Sequence, residues 1–75
     1  MEKEKNIYEI LTRREIEITT LIVNGLTDKD IAEKLDRSFH TIRSHHKNIL
    51  RKTSQKNISG LINFARNNGL ISQEK

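Results

Sequence analysis

The chain has 75 residues, 32% of them charged, with no cysteine, no proline, three glycines and a formal net charge of +4. That length makes one domain with a small core, the absence of cysteine excludes disulfides and thiolate metal sites, and no stretch approaches the roughly 20 apolar residues of a membrane span or forms a signal-peptide core. The composition suits a reducing cytoplasm, and the scarcity of glycine and proline favours an all-α fold of helices joined by short turns.

Residues 1–10 are a polar leader. They read as a linker remnant or as an extra helical turn, which Ile7, Tyr8, Ile10 and Leu11 permit. The first predicted helix begins at "LTRREI" (11–16): Thr12 is the N-cap, Glu15 completes a capping box, and Leu11 with Ile16 forms a hydrophobic staple. Ile16, Ile18, Leu21, Ile22 and Val23 give it an apolar side, and Gly25 followed by Leu26 fits a Schellman stop, so the helix runs from about Arg13 to Asn24. "LTDKDI" (26–31) repeats the start grammar with Thr27 as cap and Asp30 as its partner. A short second helix, about Asp28 to Leu35, follows with Ile31, Ala32 and Leu35 facing inward.

Ser38 caps a third helix that continues to about Lys52. A short helix, a tight turn and a longer helix have the size pattern of a helix-turn-helix. Ile42, Ile49 and Leu50, with His45 or His46 between them, form its buried stripe, while Arg43, Lys47 and Arg51 repeat every four residues on another side. The charge is segregated in the same way. Residues 1–36 are net −3, residues 37–73 carry seven basic and no acidic side chains, and Glu74 and Lys75 cancel. One-signed charge on a small domain favours a polyanion, with nucleic acid first and an anionic membrane surface second. A helix of this kind fits the major groove, where Arg43 and Lys47 can donate to guanine and Ser44 can add a shorter base contact. Ser38 and the amides at the helix start suit a phosphate.

The last predicted helix starts at the cap Asn57 and ends near Asn67, with Gly69 and Leu70 as a second Schellman stop. Ile58, Leu61, Ile62, Phe64 and Ala65 give it more apolar surface than a small core requires. A second copy of the chain is one occupant for the surplus, and core packing alone is the other.

Four blocks, "LTRREIEI", "NGLTDKDIAEKL", "SFHTIRSHHKNILRK" and "NISGLINFARNNGLI", occur together over residues 11–71. Their order and spacing resemble the LuxR/GerE-type DNA-binding domain, found at the C-terminus of many bacterial transcription regulators and as a free-standing small protein. The resemblance implies a four-helix fold whose second and third helices form the helix-turn-helix, whose third helix enters the major groove, and whose fourth mediates dimerisation on DNA. It places Arg43, Ser44 and Lys47 at base-contacting positions, and Ser38, Thr41, His45 and Lys52 at phosphate-contacting or structural ones. Thr27, Lys29, His40 and Arg51 complete the expected phosphate set. For His45, a packed histidine between helices competes with a phosphate contact.

The sequence departs from the family pattern in places. Arg13 stands where proline is frequent, and Arg37 occupies a turn position that is usually aliphatic, so Phe39 is expected to fold back into that space. Thr53 replaces a common leucine, from which looser packing at the end of the third helix is expected.

The expected organisation is thus a leader (1–10), a DNA-binding domain (11–71) and a tail (72–75). The expected function is sequence-specific double-stranded DNA binding for transcription regulation, as a homodimer through the fourth helix on a pseudo-palindromic site, with RNA polymerase a further candidate partner. The spacing of His40, His45 and His46 does not make a metal pair on one helical face, and Glu15 and Glu17 lack the companions that catalysis needs. No enzyme activity, metal, cofactor or membrane is expected. Two rivals remain: a basic helical module that binds an acidic protein, and a domain that contacts DNA only inside a larger polymerase complex.

Overall fold

The helices begin where their caps lie. In the computed structural model, which describes residues 7–70, α1 spans Ile7–Ile10, α2 Arg13–Val23, α3 Asp28–Leu35, α4 Phe39–Lys52 and α5 Ile58–Asn67. The fold is all-α, with no strand among the described residues. Thr12 accepts a hydrogen bond from the Glu15 amide at 3.2 Å, and Glu15 accepts one from the Thr12 amide at 2.9 Å. Thr27 and Asp30 repeat this capping box at α3, while Ser38 and Asn57 cap α4 and α5 through single side-chain acceptors. Those predicted caps and starts coincide with the observed ones. The described end of the leader takes the extra-turn form: Ile7 in α1 is fully buried. Residues 1–6, Ile71 and the tail 72–75 lie outside the described residues.

Helix α2 is the centre of the packing, touching α1, α3, α4 and α5, and α3 rests on α4. Ile18, Ile31, Ile42, Ile49, Leu61 and Ala65 have no exposed surface and form the core where these helices meet. Each large side chain buried there contributes about 1.5–3 kcal/mol relative to exposure. Two polar side chains sit among them without being left unsatisfied: the Thr19 hydroxyl donates to the Glu15 carbonyl at 2.8 Å, and the Thr53 hydroxyl to the Ile49 carbonyl at 2.8 Å. Thr53 is buried, so the looseness expected from losing a leucine does not arise at its own position.

All four longer helices end in the Schellman pattern. Leu26 donates to Leu21 and Gly25 to Ile22 at the end of α2, and Leu70 to Ala65 with Gly69 to Arg66 at the end of α5. The other two ends use residues that leave no glycine signal: Asp36 (φ 57°) after α3 and Ser54 (φ 58°) after α4. A left-handed conformation is strained for a residue with a Cβ, less so for Asp than for Ser. Ser54→Gly is therefore expected to stabilise the domain by about 0.5 kcal/mol and raise its melting midpoint by a few degrees. A lower midpoint in a thermal melt would show that the serine supplies more than it strains.

Candidate nucleic-acid interface

The turn between α3 and α4 is three residues, Asp36 to Ser38, and it fixes the two helices of the motif against each other. Ser38 stops the chain from fraying there: its hydroxyl accepts from the Thr41 amide at 3.0 Å and lies 2.9 Å from the Thr41 hydroxyl. From that anchored start, α4 turns Ile42 and Ile49 fully inward. His40, Arg43, Ser44, Lys47 and Arg51 are exposed at positions i, i+3, i+4, i+7 and i+11, one continuous stripe of the helix. His40, Arg43, Ser44 and Lys47 also border a single shallow notch together with Phe39.

Phe39 does not fold back beneath the turn. The residue is 50% exposed, and the Arg43 guanidinium lies over its ring with Cζ 5.7 Å from the ring centroid, within cation–π range. The physical reason is position: Phe39 is the first residue of α4, one turn before Ile42, and projects past the core that Ile42 seals. Arg43 also approaches α3, with Nε 4.0 Å from Asp28 Oδ2. Asp28 Oδ1 in turn lies 3.0 Å from His46 Nδ1. A carboxylate can only accept, so His46 carries its hydrogen on Nδ1. This contact seats the start of α3 against the middle of α4. It was not visible in the sequence, where Asp28 is an ordinary first-turn acid 18 residues from its partner.

The far end of α4 is held by a different pair. Lys52 Nζ donates to both oxygens of Glu15, at 2.9 and 3.1 Å. Glu15 is buried, and burial alone pushes its carboxyl upward; the Thr12 amide hydrogen bond and the hydrogen bond and charge of Lys52 outweigh that and hold it below its ordinary value. The Thr27 amide likewise holds the exposed Asp30 carboxyl low.

The remaining expected residues fall as follows. Thr27 and Lys29 are exposed, with Thr27 also accepting from the Asp30 amide at 3.1 Å. Thr41 and His45 are half-buried, and Arg51 is exposed with its guanidinium 3.3 Å from Asn48 Oδ1. In α5, Leu61 and Ala65 have no exposed surface and pack in the core, so they offer a second copy nothing to touch. Ile58 is 45% exposed, with Ile62 and Phe64 half-buried beside the core. Among the described residues no three His, Cys, Asp or Glu side chains come together as a metal site, and no helix is long and apolar enough to cross a membrane.

A short helix turned onto a longer one with a basic outer stripe defines a helix-turn-helix domain. Residues 9–65 match the family described as bacterial regulatory proteins, luxR family, and the chain belongs to that family. It is 41% identical over 58 residues to the oxygen regulatory protein NreC of Staphylococcus epidermidis, covering 77% of this chain and 27% of that one. It is 38% identical over 64 residues to the probable transcriptional regulator ycf29 of Pyropia yezoensis, covering 85% and 29%. With the response regulator protein VraR of Staphylococcus aureus it shares 34% over 71 residues, covering 95% and 34%. The chain thus spans about a third or less of the length of these relatives. No solved structure gives a significant match.

Proposed function

We propose that the domain binds double-stranded DNA in a sequence-specific manner and serves transcription regulation, with α4 in the major groove. The observation that carries this is the division of α4: Ile42 and Ile49 lock one side into the core while Arg43, Ser44 and Lys47 stand exposed on the other. The absence of any acid between residues 37 and 73 strengthens it, since nothing on this half of the chain repels phosphate. Arg43, Ser44 and Lys47 are the base readers. Thr27, Lys29, Ser38, His40, Thr41, His45 and Arg51 position the backbone, and Lys52 does so with its charge already shared with Glu15.

The unit that binds is residues 11–71, with α1 packed beneath it. Two copies pair through the outer surface of α5, of which Ile58, Ile62 and Phe64 are the part available, and read a site of two-fold symmetry. The relatives described as a transcriptional regulator and as a response regulator point to the same role within a longer protein.

Selection of duplexes from a random DNA library tests this, followed by anisotropy titrations of the enriched duplex and a scrambled one at several salt concentrations. The expected result is a two-fold symmetric motif bound on the order of a thousandfold or more tighter than the scramble. Salt-dependent binding without an enriched motif would leave only phosphate attraction and refute the reading function of α4.

A further inference from the structure

Phe39 is an exposed large apolar side chain that the core does not need. Ile42 and Ile49 already seal this side of the domain, yet half of the Phe39 surface faces solvent at the first turn of α4. Its surroundings are polar and basic, with His40, Arg43, Ser44 and Lys47 around the same notch. An apolar protein surface would have to desolvate those cations, whereas the DNA major groove offers them acceptors and phosphates and, at thymine, an apolar methyl group. Residues at the start of a helix in this motif are the ones that reach base edges.

We propose that Phe39 is a specificity-determining residue that seats its ring against the 5-methyl group of a thymine near the base contacted by Arg43. The distance sets the spacing: Arg43 Cζ lies 5.7 Å from the ring centroid. Stacked bases along one strand are about 3.4 Å apart, so the thymine lies within one or two steps of the Arg43 base. The guanidinium lies over the ring and its Nε is 4.0 Å from Asp28 Oδ2, so Phe39 and Arg43 share one place on the proposed interface. This assignment rests on the DNA-binding reading above.

The test uses the duplex obtained by selection, with each thymine replaced in turn by deoxyuridine, which lacks only the methyl group. The wild-type domain is expected to lose about three- to tenfold in affinity at one thymine per half-site, the scale of one apolar group removed from a contact. Phe39→Ala should bind the thymine duplex more weakly and no longer distinguish it from the uracil duplex. Phe39→Leu, which keeps apolar surface but not the ring face, should retain the distinction. Because Phe39 is exposed, both variants should melt with the parent domain.

If Phe39→Ala loses affinity equally on both duplexes, the ring is only a shelf for Arg43 and the proposal is overturned. It is overturned as well by a motif with no thymine within two steps of the base whose identity depends on Arg43. Those outcomes leave the DNA-binding reading standing, whereas a wild-type domain that enriches no motif removes both.

Discussion

Replacing Lys52 with methionine should destabilise the domain by about 2–3 kcal/mol at neutral pH and move its acid unfolding to higher pH. The methionine keeps most of the stem's apolar contact, so the loss isolates the ammonium. Without it, Glu15 remains buried with its Thr12 amide partner but without the charge that balances it. Removing one member of a fully buried pair costs about 3–5 kcal/mol, and the loss here falls at or just below the bottom of that range because the Lys52 side chain is 30% exposed. The pH dependence follows from the direction of the Glu15 shift. Its folded carboxyl is held below its unfolded value, so the folded state binds fewer protons. The stability this supplies is present above the ordinary carboxylate range and is lost as pH falls through the folded value. Taking away Lys52 leaves the Thr12 hydrogen bonds alone to oppose burial, so the carboxyl moves up and that loss begins at higher pH.

Urea unfolding between pH 3 and 7 measures both effects, and Glu15→Gln combined with Lys52→Met should recover part of the difference. An unchanged midpoint in Lys52→Met would show that the pair is screened by solvent and structurally neutral. The same pair bears on binding, because a lysine already neutralised by Glu15 releases fewer counterions on meeting phosphate. Lys52 should accordingly change the salt slope less than the exposed positioner Arg51 does.

That pair also shows where sequence reasoning stopped. Helix starts were legible because a cap and its partner lie three residues apart: Thr12 with Glu15 and Thr27 with Asp30 were recognisable without any tertiary knowledge. Ends at Gly25 and Gly69 were legible for the same local reason. The ends at Asp36 and Ser54 were not, since a left-handed aspartate or serine looks like any polar residue. The second partner of Glu15 is 37 residues away, and no local pattern distinguishes Lys52 as a tether from Lys47 as a solvent-facing cation.

The candidate site divides in the same way. The period of α4 separates Arg43 and Lys47 from Ile42 and Ile49, because apolar and basic residues alternate with the helical repeat. In α5 apolar residues occupy 58, 61, 62, 64 and 65, a continuous arc of about 160° at 3.6 residues per turn, so the pattern alone does not say which of them the core takes. Packing decides it, burying Leu61 and Ala65 and leaving Ile58 outside. Phe39 lies in phase with Ile42 and reads as an inward residue; it is exposed because the helix begins there and the core ends one turn later.

The Arg43→Ala, Lys47→Ala double variant should lose at least a thousandfold in affinity for the selected duplex while melting within a degree or two of the parent. Stability is expected to hold because both side chains are exposed, and the ion pair that Arg43 makes with Asp28 is 4.0 Å long with the arginine side chain 58% exposed. A good base contact discriminates by about 1–3 kcal/mol, and a dimer on a symmetric site carries each substitution twice. Four lost contacts therefore reach or exceed the roughly 4 kcal/mol that corresponds to a thousandfold. The loss has a floor, since the remaining Lys and Arg side chains still meet phosphates, and binding should settle at the level of the scrambled duplex without vanishing. Titrations on both duplexes distinguish the roles. Base readers collapse the ratio of selected to scrambled affinity, whereas backbone positioners lower both alike and flatten the salt slope by about 0.9 for each phosphate contact removed. A double variant that keeps its ratio would move Arg43 and Lys47 to the phosphate set and leave sequence reading to Ser44 and the start of α4.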